Sequence, residues 1–321
     1  MHAFYKGKNV LVAGGSGFVG TNLIKELLKY NCNVTATLFN KEPQIKFQNV
    51  KYIKTNLTKP DQCKLVCKDQ DIVFNVSAVS SGALVIEKKP LVHLTPNVLM
   101  NTLLLEASYE AKVKKFCFTS SNTVYPVSNK PMKEEDINYQ FYDKYFVVGW
   151  MKCFSEIMCQ MYSNKIQNPM DIVIIRPGNL YGPFDKFNKV ESKVIPALIR
   201  RALEKEKPFE VWGDGSDIKD FIYIDDFIKC LCMLIPETHF GEIYNICSGE
   251  KHTIKDILSL LRDFGYIKKQ DIVFNTSMPS MIPIRLLSNS KVKNKIKWRP
   301  ETDLKTGISN TIKWYKNYSD I

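Results

Sequence analysis

Long apolar runs are missing from this 321-residue chain, and no stretch supplies the roughly 20 apolar residues that a membrane-crossing helix needs. Met1 to Gly7 has no apolar signal region, so a cytosolic (cytoplasmic) address is expected. Histidine is scarce, with four residues. No second cysteine pair or His-x-x-x-His completes a zinc site with Cys63 and Cys67, a helical turn apart, or with Cys230 and Cys232, so no metal is expected. The nine cysteines are odd in number and scattered through segments that read as helix and strand, which points to buried, reduced thiols. A basic stripe interleaved with aromatics is also lacking. The net charge of +12 is spread along the whole chain, which argues against a nucleic-acid partner and suits a small anionic substrate. Internal repeats and low-complexity segments are absent, and 45% hydrophobic with 24% charged residues is ordinary for a globular chain.

What is there is an alternation. Lys8–Ala13 reads as a buried strand, Phe18–Tyr30 as a helix, and Asn33–Leu38, Lys51–Lys54 and Asp71–Val76 as strands. Leu91–Ala111 and Val148–Ser163 read as amphipathic helices flanking a strand at Lys115–Ser120, with a sixth strand at Asp171–Ile175. Strand and helix repeated at this spacing imply an α/β fold with a doubly wound parallel sheet. After Arg176, turns rich in Pro, Gly and Asp separate shorter elements. The expected division is a dinucleotide-binding domain over residues 1–175 and a smaller C-terminal substrate-binding lobe over 176–321. The chain is expected to return to the sheet near Ile222–Ile224 and Ile243–Ile246.

Gly14, Gly17 and Gly20 fall between the first strand and the first helix, within Gly14-Gly15-Ser16-Gly17-Phe18-Val19-Gly20. Such a turn lets backbone N–H groups and a helix amino end approach a pyrophosphate without side-chain obstruction. An NAD site wants a carboxylate at the end of the second strand, to accept from the ribose hydroxyls. Leu38 stands there, followed by Phe39, Asn40 and Lys41. Lys41 could face a 2′-phosphate or could be a solvated loop lysine, and NADP(H) is favoured over NAD(H).

Further motifs follow in order: Phe118 to Tyr125 (FTSSNTVY), Lys152 with Glu156, Arg176 to Pro183 (RPGNLYGP), Trp212 to Ser216 (WGDGS), Lys219 to Asp226 (KDFIYIDD) and the closing segment Ser288 to Tyr315. Together with the glycine turn they resemble the extended short-chain dehydrogenase/reductases, a Rossmann-type family of nucleotide-sugar epimerases, dehydratases and reductases. Ser192 to Arg201 and Trp212 look most like the GDP-fucose synthases and related GDP-sugar reductases. The resemblance implies a nucleotide-sugar substrate, NADPH, and a homodimer formed by the helix pair Leu91–Ala111 and Val148–Ser163. It places Ser121 on the reacting sugar oxygen, Thr123 beside it, and Lys152 on the nicotinamide ribose. Ser16, Phe18, Val19, Asn56, Leu57, Ala78, Pro177, Asn179 and Leu180 would line the cofactor, with Asn179 also on the substrate's pyrophosphate. Lys193, Val194, Trp212, Lys219 and Arg285 would line the nucleotide-sugar end. Where Lys219 stands the family more often has arginine, so its contact would be a point charge rather than a fork.

One departure is large. The resemblance calls for Tyr-x-x-x-Lys on a helix face, where the lysine's charge lowers the pKa of a proton-transferring phenol. The residue four before Lys152 is Val148, and the motif occurs nowhere in the chain. Asn122 and Thr123 replace the dehydratases' Asp-Glu, and Thr123 and Lys193 replace the fucose synthases' cysteine and histidine. The reading is therefore an NAD(P)-dependent oxidoreductase moving hydride at a pyranose carbon, C4, with an atypical proton path. That path would run through Ser121, Thr123, a water, or a tyrosine from Asn138–Tyr145. The alternatives are an epimerase with a tightly held cofactor, or a non-catalytic binder of nucleotide sugar or NADP(H).

Overall fold

The computed structural model describes residues 1–80, 83–278 and 281–319. A short helix α1 (His2–Tyr5) leads into β1 (Asn9–Ala13), α2 (Phe18–Leu27), β2 (Asn33–Leu38), β3 (Val50–Lys54), α3 (Pro60–Cys67) and β4 (Ile72–Asn75). Then come α4 (Ala83–Lys88), α5 (Leu94–Glu110), β5 (Lys115–Thr119), α6 (Phe146–Asn164) and β6 (Ile172–Pro177). Shorter elements follow: β7 (Asn179–Tyr181), α7 (Val194–Leu203), β8 (Phe209–Trp212), β9 (Ile218–Lys219), β10 (Phe221–Tyr223) and α8 (Ile224–Leu234). The last are β11 (Glu242–Ile246), β12 (His252–Thr253), α9 (Ile254–Asp263), β13 (Ile272–Asn275), β14 (Ile284–Arg285), α10 (Ser290–Ile296) and α11 (Leu304–Ser319).

Seven parallel strands make the central sheet, in the order β11-β6-β5-β4-β1-β2-β3. β1 shows why its run is apolar throughout. Val10 and Val12 share a core with Leu23, Ile24, Phe227 and Leu231, while Leu11 and Ala13 share another with Leu104, Phe116 and Ile174. A parallel sheet covered on both faces needs such strands. The strand order reverses between β1 and β4, which opens a crevice at their carboxyl ends, where dinucleotides bind in folds of this kind. Three small sheets, β10-β7, β12-β9-β14 and β13-β8, lie outside it. Around them Tyr181, Ile199, Phe209, Phe221, Leu258 and Ile308 form a separate core.

The structure corrects several expectations. The segment near Ile222–Ile224 does not rejoin the main sheet: β10 pairs with β7, and β11 alone returns, beside β6. The helix read from Leu91 begins at Leu94, after a 3-10 turn at Pro90–His93, and the helix read to Tyr30 tightens to 3-10 at Leu28–Tyr30. α5 is not amphipathic. It buries Asn97, Asn101 and Ser108 while Leu99 is exposed. Its buried amides bond across elements: Asn75 Nδ2 donates to Asn101 Oδ1 at 3.1 Å, and Asn101 Nδ2 to Ser155 Oγ of α6 at 3.0 Å. All nine cysteines are free and buried.

Candidate active site

The glycine turn has the shape its spacing predicts. Gly14 sits at φ +92°, and a Cβ there would meet the Ser77 backbone at 2.8 Å; at Gly20 a Cβ would collide with the Gly14 carbonyl. Gly17 N–H closes the turn on Gly14 O at 3.0 Å, and Gly14 N–H is held by Thr37 Oγ1 at 2.9 Å. α2 starts with Gly17 as its N-cap and no side chain capping it. Its first amides, from Phe18, Val19 and Gly20, are thus left for an anion. These residues fit a dinucleotide pyrophosphate, with half-buried Ser16 beside them.

At the expected adenosine end, Leu38 closes β2 in the core and Phe39 is exposed. Lys41 is not solitary: its Nζ lies 2.8 Å from Glu191, whose other oxygen is 3.0 Å from Lys186. Despite its partial burial, the bonds from Lys41 and Lys186 hold the Glu191 carboxyl well below the usual carboxylate range. The Asn56 side chain closes a local turn on Thr58, Leu57 packs in the core, and Ala78 lies exposed beyond β4.

The expected reacting end lies where β5 stops. Ser121 caps the 3-10 turn Asn122–Val124, accepting from Thr123 N–H at 3.1 Å and from Thr123 Oγ1 at 2.9 Å. With its lone pairs so used, Ser121 keeps its own proton to donate. Lys152 is buried on α6, and its Nζ donates to Thr119 O at 2.8 Å. Burial lowers its pKa to about 8, against the opposing charge of Glu156. Val148, half-buried, precedes it by one turn, and Gly149 lets the helix close in: a Cβ there would sit 2.7 Å from the Phe141 ring and 3.1 Å from Thr123 O.

Behind this floor lies a network that the motifs only half indicated. Arg176 donates from Nε and Nη2 to the Glu156 carboxylate at 3.0 and 2.6 Å, and Ser120 Oγ donates to the same group. Arg176 Nη1 reaches Tyr125 Oη at 2.7 Å and Glu134 O at 2.8 Å. Tyr125 donates on to Asn245 Oδ1 at 2.8 Å, and Asn245 N–H to Glu134 Oε1 at 2.7 Å. Glu134 and Asn245 carried no sequence signal, because each lies in an unremarkable loop or strand and meets the network only through residues distant in the chain.

Opposite stand two cations. β14 pairs with β9 so that Arg285 registers with Lys219. Arg285 Nη1 donates to Asn122 Oδ1 at 2.6 Å, and its guanidinium carbon lies 5.1 Å from the Tyr145 ring centre. Its Nη2 is buried with no hydrogen-bond partner among the described residues. Burial lowers the Arg285 pKa to about 10 and the Lys219 pKa to about 8, the latter against Asp217 at 3.2 Å. Other expected substrate residues are not gathered here. The Asn179 amide is used on Asp220 O at 2.9 Å, and Trp212 lies in the β13-β8 sheet with Arg201 over its ring at 5.9 Å. Lys193 and Val194 are exposed at the start of α7.

Residues 10–247 match the model of the NAD dependent epimerase/dehydratase family. The chain belongs to that family. This epimerase/dehydratase-family chain is 30% identical over 316 residues to a GDP-L-fucose synthase of Sinorhizobium fredii, covering 95% of this chain and 94% of the relative. It is 24% identical to a dTDP-4-dehydro-6-deoxy-D-allose reductase of Streptomyces sp, covering 97% of each. In fold it is similar to the UDP-glucose 4-epimerase of Thermotoga maritima, with a TM-score of 0.87 at 23% identity over 96% of this chain and 99% of the other. The chain is thus an enzyme of a family using nicotinamide dinucleotides, with no helix among the described residues long and apolar enough to cross a membrane.

Proposed function

We propose that the protein is an NAD(P)-dependent oxidoreductase of a nucleotide-diphosphate sugar, transferring hydride at the pyranose C4, with a GDP-sugar favoured. The observation that carries this reading is the facing of two sets of groups. Ser121, Thr123 and Lys152 gather at the end of β5, and Arg285 reaches the same turn through Asn122, with Lys219 beside it in register on the neighbouring strand. A diphosphate would find its charge matched at the cations, including the buried Arg285 N–H group that lacks a partner. The sugar would then extend toward Ser121.

When bound, the nicotinamide supplies or takes up the hydride. The chain's part is to hold and polarise. Lys152 positions the nicotinamide ribose, and Ser121 donates its free proton to the sugar oxygen, supported by the bond it accepts from Thr123. Thr123 Oγ1 keeps acceptor capacity for a neighbouring sugar hydroxyl. NADP(H) is favoured because Leu38 offers no acceptor to a ribose and Lys41 lies close beyond. A 2′-phosphate would take Lys41 from Glu191. A dimer is the proposed assembly: α6 leaves Phe146, Trp150, Phe154, Ile157 and Met161 exposed, and α5 adds Leu99, an apolar area that an isologous contact would cover.

The test is incubation with a panel of nucleotide sugars, following cofactor absorbance and sugar mass together. Cofactor-coupled change in a GDP-linked 4-keto sugar is expected. Absence of binding and turnover with every nucleotide sugar would refute the reading.

A further inference from the structure

We propose that Tyr145 is the catalytic acid of this site, its phenol reaching the sugar oxygen from one helical turn before the position occupied by Val148. The inference rests on the oxidoreductase reading and supplies its missing proton.

Helix geometry comes first. Tyr145 is the N-cap of α6, just ahead of its first turn, and within the helix Val148, Lys152 and Glu156 follow one another at intervals of four residues. Residues so spaced lie along one face. Lys152 and Glu156 on that face turn toward β5 and β6, as their bonds to Thr119 O and Arg176 require. The contact of Gly149 with Thr123 O fixes the start of the helix against the Ser121 turn.

The second observation is independent of the helix. Arg285 lies against the Tyr145 ring at 5.1 Å and also bonds Asn122 Oδ1 at 2.6 Å, and Asn122 adjoins Ser121. One guanidinium therefore contacts both the Tyr145 ring and the residue that stands between Ser121 and Thr123. The Tyr145 hydroxyl makes no hydrogen bond among the described residues, although the side chain is half-buried. Tyr139, in contrast, is exposed and stacks on Trp150 at 5.8 Å, away from Arg285.

The chemistry then balances for reduction. Hydride from a reduced nicotinamide bonds to the carbonyl carbon, the C=O π bond breaks, and the oxygen takes the phenolic proton. The phenolate is reprotonated from solvent, so the sum is ketone, reduced nicotinamide and one proton going to alcohol and oxidised nicotinamide. Burial raises the Tyr145 pKa, with Arg285 opposing. The group stays protonated at neutral pH, as an acid must, and the guanidinium stabilises the phenolate left behind.

The experiment compares wild type, Tyr145→Phe, Tyr142→Phe, Val148→Tyr and the double variant Tyr145→Phe/Val148→Tyr with a GDP-linked 4-keto sugar. Tyr145→Phe should lower single-turnover reduction by about 10²–10³-fold with little change in nucleotide-sugar or cofactor affinity. Tyr142→Phe should stay near wild type, and the double variant should regain at least about tenfold over Tyr145→Phe. The alkaline limb of the wild-type pH profile should vanish in Tyr145→Phe. A cofactor-free readout accompanies it: nucleotide sugar alone should perturb a tyrosine ionisation, seen by ultraviolet difference absorbance, in wild type and not in Tyr145→Phe. If wild type is active and Tyr145→Phe keeps its rate and pH profile, this inference fails and the oxidoreductase reading stands. If wild type binds and reduces nothing, both fail.

Discussion

Lys152 is an ammonium with almost no water around it, and that fixes how the site should respond to pH. Its folded pKa of about 8 lies below the usual lysine value of about 10.4. Between these two values the unfolded chain binds more protons, so Lys152's contribution to stability grows as pH rises through that window. With Lys152 in its proposed place on the nicotinamide ribose, cofactor binding should move the other way, since the charged form is the stronger donor to the hydroxyls. Calorimetry should show affinity weakening as pH rises through about 8, while Lys152→Ala weakens binding at every pH and lowers turnover strongly. Ser121→Ala should cost about two to three powers of ten in rate. Arg176 is the matching structural case. Arg176→Met strands the buried Glu156 carboxylate and should destabilise the fold by roughly 3–5 kcal/mol, with Arg176→Met/Glu156→Met recovering most of it. Denaturant unfolding checks this, and a single-variant loss below about 1 kcal/mol would contradict it.

At the scale of elements, α6 is placed by Gly149. In Gly149→Ala the new methyl meets the Phe141 ring and the Thr123 carbonyl. Overpacking of this kind costs about 1–3 kcal/mol, and the strain lies between the helix and the Ser121 turn. Turnover should therefore fall more steeply than thermal stability, as parallel kinetic and melting measurements would show. The central strands were legible in the sequence because a buried parallel sheet forces continuous apolar runs, as in Val10–Val12 and Ile172–Ile175. The glycine turn was legible because the close approaches at Gly14 and Gly20 exclude a Cβ. α5 departs from the expected amphipathic pattern because Asn97 and Asn101 are buried for hydrogen bonds to Val79, Asn75 and Ser155, which no periodicity reveals. The segment at Ile222 pairs in a small sheet instead of the central one, and a short apolar strand looks alike in either. Arg285 facing Tyr145 across more than a hundred residues depends on β14 pairing with β9, a register the sequence does not display.

The whole molecule raises two questions, assembly and cofactor. Phe154→Asp on the exposed face of α6 should turn a dimer into a monomer in sedimentation at micromolar concentration without unfolding the chain. A wild-type monomer would count against the proposed contact. For the cofactor, NADP(H) should bind more tightly than NAD(H), and Glu191→Gln should widen the gap by releasing Lys41. Equal affinities in calorimetry would remove the case made from Leu38. Val148→Tyr asks how the site came to lack its helix phenol. A gain in C4 reduction marks a pocket that still accommodates a phenol at the helix position, and a loss marks a pocket that needs the space.

The central claim is hydride transfer to a nucleotide sugar by a site without Tyr-x-x-x-Lys. The most direct measurement supplies cofactor deuterated at the transferable position with a GDP-linked 4-keto sugar and examines the sugar by mass spectrometry and NMR. A single deuterium at C4 is the predicted result. Binding of cofactor and nucleotide sugar with no deuterium in any product would contradict it.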